Sequence, residues 1–405
     1  MGSTDQKKNL ALVIGNVPTV DEIDQFQLIK DEYNITVISS ESICGYLTQT
    51  SFFQDLRCIA CKDNDENTTF LPGLEKALEK QDFVIVKERL GMYAFQAVKA
   101  KWRNRFRLIC WVDNLTPYPG EDVSQIRTIR QEITAGADAF IVQSKAAAQA
   151  LKLEGVESER IFDFKPYVKT HFERSASLRG KATQRLGFAD SDIVIAHIGQ
   201  IEFEESLFDL AYAIKIATEK DPKLGARLKV VLCGIGSASG DLSNTLVTLG
   251  IDRNVIYVAP NRDAFGTVMA AADCIFFSPI TNRDRIEGDP YRVLAAMSYG
   301  VPVMSARTAI TEEYIGKHRL DYCISNPESL AEAIKKITSA KTLVHNMVKK
   351  NKAVVEKQFS EDAVRTSMMA IMDKVTEQKP TVNVNAIDHQ VAEIESLVQT
   401  KQYLA

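Results

Sequence analysis

The feature that most restricts this chain is a pattern that runs twice. Short, uninterrupted apolar segments alternate with amphipathic ones, and the first apolar segment of each series stops at a glycine. In the first series Leu10-Ala-Leu-Val-Ile14 ends at Gly15, and further strands are expected at 34–38, 83–86, 107–112 and 139–142. Helical spacing between them is clearest at 73–80, 93–103 and 145–154. The second series opens with Asp192–Ile198, ends at Gly199, and continues through a helix at 207–219 and strands at 229–233, 254–258, 274–277 and 301–304. Strands that are apolar on both faces and separated by helices build a parallel sheet covered on both sides. The expectation is an α/β chain with two doubly wound domains. In such folds ligands bind at the carboxyl ends of the strands, and a cleft between the domains is the default site.

The polar stretch 173–192 separates the two series. The expected domains are 1–180 and 181–355, followed by a helix at 356–376 that packs back on the first domain. Residues 377–405 read as a linker and a new amphipathic helix, with Val391, Ile394, Leu397, Val398 and Tyr403 spaced for one face. That helix resembles the opening of a tetratricopeptide repeat and is a candidate surface for a protein partner.

Composition excludes several classes. A formal charge of −4 over 405 residues leaves no positive excess for displacing counterions from a polyanion, so no nucleic-acid partner is expected. No run of about 18 apolar residues exists to span a membrane as a helix. The polar start and seven cysteines without framework spacing point to reduced thiols in a cytoplasmic protein. Cys58-Ile-Ala-Cys61 lacks the two further ligands a zinc site needs. No histidine pair has helical metal-ligand spacing, so no metal is expected.

The segment Arg285-Ile-Glu-Gly-Asp-Pro-Tyr-Arg-Val-Leu-Ala-Ala-Met-Ser-Tyr-Gly300 carries the chemistry. Pro290 suits the first helical position with Asp289 as its cap, and Gly300 ends the helix. The free amides at such a helix start suit an anionic diphosphate, with Glu287 in the loop beside it. The plainer alternative is a well-capped helix packing on a sheet. The glycine-rich turn Gly234-Ile-Gly-Ser-Ala-Ser-Gly240 admits the same two readings. The basic, aromatic-rich run 99–107 is either a basic helix end or a contact for an anionic acceptor or the inner face of a membrane.

Glu287-Gly-Asp-Pro-x-x-x-Leu294 followed by Ala296-Met-x-x-Gly-x-Pro-Val303 resembles the E-x7-E segment of retaining family 4 glycosyltransferases, also called glycosyltransferases group 1. Met269–Phe277, Val142-Gln-Ser-Lys145 through Leu151, and Lys165-Pro with Phe172 are similar in the same order. Weaker likenesses are Phe70-Leu-Pro-Gly-Leu74, Lys87-Glu-Arg and Trp111-Val-Asp-Asn114. The resemblance spans roughly 10–376. It implies the GT-B fold, with two Rossmann-like domains facing across a cleft. It also implies sugar transfer from a UDP- or GDP-type nucleotide-sugar to a glycan, lipid or protein acceptor, with retention and no cofactor or metal. Carried over, Glu287 holds the donor sugar and the amides of Gly288, Asp289, Tyr291 and Arg292 around Pro290 face the diphosphate. Gly199 lets the backbone approach the phosphates, Gly234 sits near the donor, and Val258 flanks the base. Asp113 or Asn114 stands where many members place a histidine at the reacting centre, and Glu88 lies on the acceptor side.

The departures are as informative. Ala295 stands where the family has a ribose-binding glutamate. Gln200 and Glu205 stand where many members carry an arginine and a lysine for the diphosphate. The loop Gln200-Ile-Glu-Phe-Glu-Glu205 adds three carboxylates, and like charges 4 Å apart repel by about 4 kcal/mol at an effective dielectric of 20. Arg262, Arg283, Arg285 and Arg292 are the candidate compensating cations. The expectation is a glycosyltransferase. The alternative is a non-catalytic relative serving as a scaffold or as a sugar- or nucleotide-binding partner protein.

Overall fold

The computed structural model describes residues 7–15, 20–50, 57–62, 70–87, 90–168, 174–203, 205–277 and 290–381. The chain divides into two compact units, one of residues 1–142, 147–164 and 368–405, the other of 143–146 and 165–367. The division thus falls near 164 and again near 367, against expected boundaries at 180 and 355.

The first unit holds a seven-stranded sheet: β1 Lys8–Val13, β2 Tyr33–Ser40, β3 Arg57–Cys61, β4 Phe83–Lys87, β5 Arg107–Val112, β6 Ala139–Val142 and β7 Ile161–Asp163. Their order is β3-β2-β1-β4-β5-β6-β7, and every pairing is parallel. Central strands are buried on both faces, which is why they read as continuous apolar runs. The order reverses between β1 and β4. A Cβ on Gly15 would lie 1.9 Å from the ring of Tyr93, a buried residue of the helix Met92–Asn104.

The carboxyl-terminal half of the helix Glu361–Glu377 returns to this unit, where Met368, Ile371 and Met372 line a small apolar gap with Phe26, Ile85 and Phe164. Beyond it, Thr381 docks on a buried ion pair. Lys101 Nζ lies 2.8 Å from Asp138 Oδ1 and donates to the Gly136 carbonyl at 2.7 Å. Asp138 also accepts from the Leu108 and Thr381 amides, both at 2.8 Å. Burial pushes the Lys101 ammonium below its ordinary pKa, and Asp138 opposes that shift. The expected helix at 387–405 lies outside the described residues.

The second unit holds β8 Ile193–Ile198, β9 Leu228–Cys233, β10 Val255–Val258, β11 Cys274–Phe277, β12 Val303–Ala306 and β13 Leu320–Tyr322. The order is β10-β9-β8-β11-β12-β13, again all parallel. The strand expected at 301–304 starts at 303. Pro302 has no amide for the ladder, and its carbonyl accepts from Ile275 N at 2.9 Å. The order reverses between β8 and β11, so the ends of these strands are the topological switch point of this unit.

Candidate functional site

The loops leaving β8 and β9 are sewn together by backbone hydrogen bonds. Gly199 N donates to Cys233 O at 3.1 Å, Ile201 N to Ile235 O at 3.1 Å, and Ala238 N to Ile201 O at 3.0 Å. Glycine is required for this approach. A Cβ on Gly234 would lie 1.7 Å from Gly199 O, and one on Gly236 would lie 2.1 Å from Ile201 O. Gly199 itself has φ +150°, a left-handed-side value that L residues rarely adopt. The glycine-rich turn therefore serves packing between two loops at the switch point.

Arg292 enters this place from the helix Tyr291–Tyr299. Its Nη1 donates to Ile198 O at 3.1 Å and would lie 2.0 Å from a Cβ on Gly199, so the guanidinium occupies the room that the glycine leaves. The guanidinium lies 5.2 Å from the centre of the Phe277 ring, at the end of β11. Its side chain is 18% exposed, which leaves part of the donor fork open to a ligand.

Glu205 is buried beside it, with a carboxylate oxygen 3.8 Å from Arg292 Nη1. The other oxygen lies 3.7 Å from Nε2 of His197, which is fully buried on β8. His197 Nε2 is 3.0 Å from Gln200 O. A carbonyl only accepts, so Nε2 carries the proton. Burial first, and the Arg292 charge second, push the His197 pKa down to about 4. The imidazole is neutral at pH 7, and the fixed charges of the cluster are those of Arg292 and Glu205.

Glu202 behaves similarly. Its carboxylate accepts from Ser237 N at 3.3 Å and from the Ser237 hydroxyl, just before the helix Ser239–Leu249. Of the carboxylates expected in this loop, Glu202 is held by an amide and a hydroxyl, and Glu205 lies 3.8 Å from the Arg292 guanidinium. Glu204 lies outside the described residues.

The helix at the E-x7-E segment also differs by one residue at its start. It begins at Tyr291, and Pro290 precedes it with αR backbone angles. Its end is as expected, with Gly300 at φ +69° and its amide bonded back to Met297 O at 3.1 Å. Tyr291 is buried and accepts from Gln143 Nε2 at 3.0 Å. Ala295 is buried in the same helix. Gln200 is exposed, and Val258 is the last residue of β10. Asp113 and Asn114 directly follow β5 in the first unit. Glu88, Arg283, Arg285, Glu287, Gly288 and Asp289 lie outside the described residues, as does the side chain of Arg262.

Gly199, Gly234, Glu205 and Arg292 are thus brought together. His197 completes the cluster and was not a candidate. Its signal was present all the same: a histidine inside the otherwise apolar run Ile193-Val-Ile-Ala-His-Ile198 must find a polar partner. Among the described residues no group of three or more His, Cys, Asp or Glu could hold a metal, and no helix is long and apolar enough to cross a membrane.

Two parallel sheets with a glycine-bearing switch point and a cationic side chain over it define a doubly wound class of α/β protein. Residues 179–354 match the family model described as glycosyl transferases group 1. The D-inositol 3-phosphate glycosyltransferase of Actinosynnema mirum is 27% identical over 210 residues, covering 48% of this chain and 49% of that protein. The protein of the same name from Salinispora arenicola is 26% identical over 203 residues, covering 46% and 44%. The chain therefore spans about half the length of the curated relatives it matches. HepE from Anabaena, solved in complex with UDP and glucose, superposes with a TM-score of 0.74 at 16% identity, covering 90% of this chain and 99% of that one. The GT-B fold is common to both chains.

Proposed function

We propose that this protein transfers a sugar from a UDP- or GDP-type nucleotide-sugar to a hydroxyl of a glycan, lipid or protein acceptor, with retention at the anomeric carbon and without a metal. The observation that carries this reading is the Arg292 guanidinium set over the Gly199 backbone at the switch point of the second unit. As the anomeric C–O bond breaks, charge grows on the leaving diphosphate, and a preorganised cation there stabilises the transition state more than the ground state. The start of the helix Tyr291–Tyr299 adds its dipole. In this reading Glu287 holds the donor sugar, Val258 lies by the base, and Asp113, Asn114 and Glu88 serve the acceptor side. HepE was solved with UDP and with UDP-glucose, which favours a UDP-type donor here.

The test is isothermal titration with UDP-, GDP- and ADP-sugars, followed by assignment of product stereochemistry by NMR. Arg292→Ala removes a charge-assisted contact worth about 1.5–3 kcal/mol, so donor affinity should fall by about 10- to 150-fold. Absence of binding to every donor, or equal binding by the variant, overturns the proposal.

A second reading is carried by Glu202 and Glu205. These internal carboxylates already engage Ser237 and Arg292, while buried Ala295 offers no carboxylate to a ribose. A non-catalytic relative acting as a scaffold would show these features, and it would bind no donor in the same titration.

A further inference from the structure

A cavity of about 440 Å³ opens in the second unit at the amino ends of its strands. Ile193 begins β8, Asp273 immediately precedes β11, Pro302 immediately precedes β12, and all three line it. Gly199 follows the other end of β8. That strand has six residues, which puts about 17 Å between this cavity and the switch point. One wall of the cavity is apolar. The helix Lys341–Gln358 turns Lys341, Val344, His345 and Val348 toward it, a single face at helical spacing, and the two valines meet Ile193, Pro302 and Ile337 there.

The other wall is charged, with Arg174, Arg179, Arg227 and Lys341 against Asp190, Asp192 and Asp273. Each carboxylate already holds a donor. Asp273 accepts from Arg179 Nε at 3.0 Å, from Arg179 Nη2 at 2.6 Å and from Val194 N at 3.0 Å. Asp190 accepts from the Thr183 hydroxyl at 3.2 Å, and Asp192 from Ala189 N at 3.0 Å. The cations are less fully served. Arg174 Nη2 shares Asp273 at 3.4 Å, so two guanidiniums meet one carboxylate. Burial pushes the Arg174 pKa below its ordinary value, with Asp273 opposing and the Arg179 charge adding to the shift. Arg227 Nε donates to Ser191 O at 2.8 Å, which orients the guanidinium. Among the described residues, neither the Nη groups of exposed Arg227 nor the ammonium of exposed Lys341 has a partner. A cavity many times the size of a water, with an apolar wall and unpaired cations, suits an organic anion.

We propose that this cavity binds a phosphomonoester with a compact apolar body, the phosphate held by Arg174, Arg227 and Lys341 and the body lying against Pro302, Val344 and Val348. The planar fork of a guanidinium matches two phosphate oxygens, and the added anion supplies the negative charge that Arg174 and Arg179 lack between them. The acidic side chains do not compete for these donors, because each is already engaged within its own turn or on Arg179. A ligand held here stabilises the second unit by mass action. The site stands apart from the nucleotide-sugar reading and does not depend on it.

The experiment is isothermal titration of the full chain at low salt with inorganic phosphate and with phenyl phosphate. Phenyl phosphate should bind about tenfold more tightly than inorganic phosphate, because its ring covers the apolar wall. The double variant Arg227→Gln, Lys341→Gln, altered only at exposed positions, should weaken both probes by about tenfold. The phenyl phosphate isotherm should persist in Arg292→Ala. Binding that is lost in Arg292→Ala and kept in the double variant belongs to the switch point and overturns the proposal. Equal affinity for the two probes, or no binding of either by the wild-type chain, also overturns it, and these two outcomes do not depend on how well a variant folds.

Discussion

Neutral His197 makes the second unit sensitive to mild acid, and the size of the effect can be worked out. The unfolded chain has the ordinary histidine pKa of 6.5, and the folded one a value of about 4. Between these values the unfolded state binds more protons, so stability is present in full above pH 6.5 and is lost as the pH falls toward 4. Integrating from pH 7 to pH 4.5 gives a loss of about 2 kcal/mol from this one group. The physical cause is burial on β8 with Arg292 nearby. Hydrogen bonds to the backbone of Gln200 and Phe276 pull the other way without prevailing. The assay is urea unfolding of the full chain at both pH values, followed by the signal of the second unit. Other groups titrate in the same window, so the readout is a difference of differences against His197→Asn, which keeps a donor for Gln200 O but does not titrate. The wild type should lose about 2 kcal/mol more than the variant over this interval. Equal losses in the two proteins would show that the ring is charged or solvated when folded, and the account of the cluster would fail.

Three further outcomes follow from contacts already described. Gly234→Ala puts a methyl 1.7 Å from a backbone carbonyl that neither loop can move cheaply, and should cost about 3 kcal/mol in chemical denaturation. Gly240→Ala, where the added Cβ meets nothing within 4 Å, should change stability by less than about 1 kcal/mol in the same assay. Lys101→Met leaves the buried Asp138 carboxylate with only the more distant Arg107 guanidinium, at 3.9 Å, and should destabilise the first unit by about 3 kcal/mol, read as a lower urea midpoint. A loss under 1 kcal/mol would mean that water reaches the pair.

The inner strands were legible in the sequence because burial on both faces writes an unbroken apolar run, as in Arg107-Leu-Ile-Cys-Trp-Val112. The edge strands β3, β7 and β13 were not. They have three to five residues and an exposed side, so Arg57-Cys-Ile-Ala-Cys61 shows only one large apolar residue. Helices such as Ser124–Gly136 were missed for a similar reason, since only two large buried apolar side chains, Ile129 and Ile133, stand among polar ones and give a faint stripe. At the site, the glycines and the helix end were readable because each demands a specific backbone geometry. The pairing of Glu205 with Arg292 was not. The two residues are 87 positions apart, and only the sheet order, which sets β8 next to β11, brings their loops together.

That pairing raises a sharper question about Glu205, which could either hold Arg292 in place or weaken its charge. The geometry favours the second effect. Arg292 Nη1 makes its hydrogen bond to Ile198 O at 3.1 Å, and Phe277 lies under the guanidinium, whereas the Glu205 oxygen stays at 3.8 Å, beyond hydrogen-bonding range. Position is therefore set by the carbonyl and the ring, and Glu205 acts through its field. A carboxylate about 8 Å from an incoming phosphate repels it by about 2 kcal/mol at an effective dielectric of 20, and salt reduces this. Glu205→Gln keeps the volume and removes the charge. Inorganic diphosphate should then bind the variant about 30-fold more tightly than the wild type at low salt, with the gap narrowing as salt is added. Weaker binding by the variant would show instead that Arg292 depends on Glu205 for its position, and that this carboxylate belongs to the binding apparatus and does not act as a brake on it.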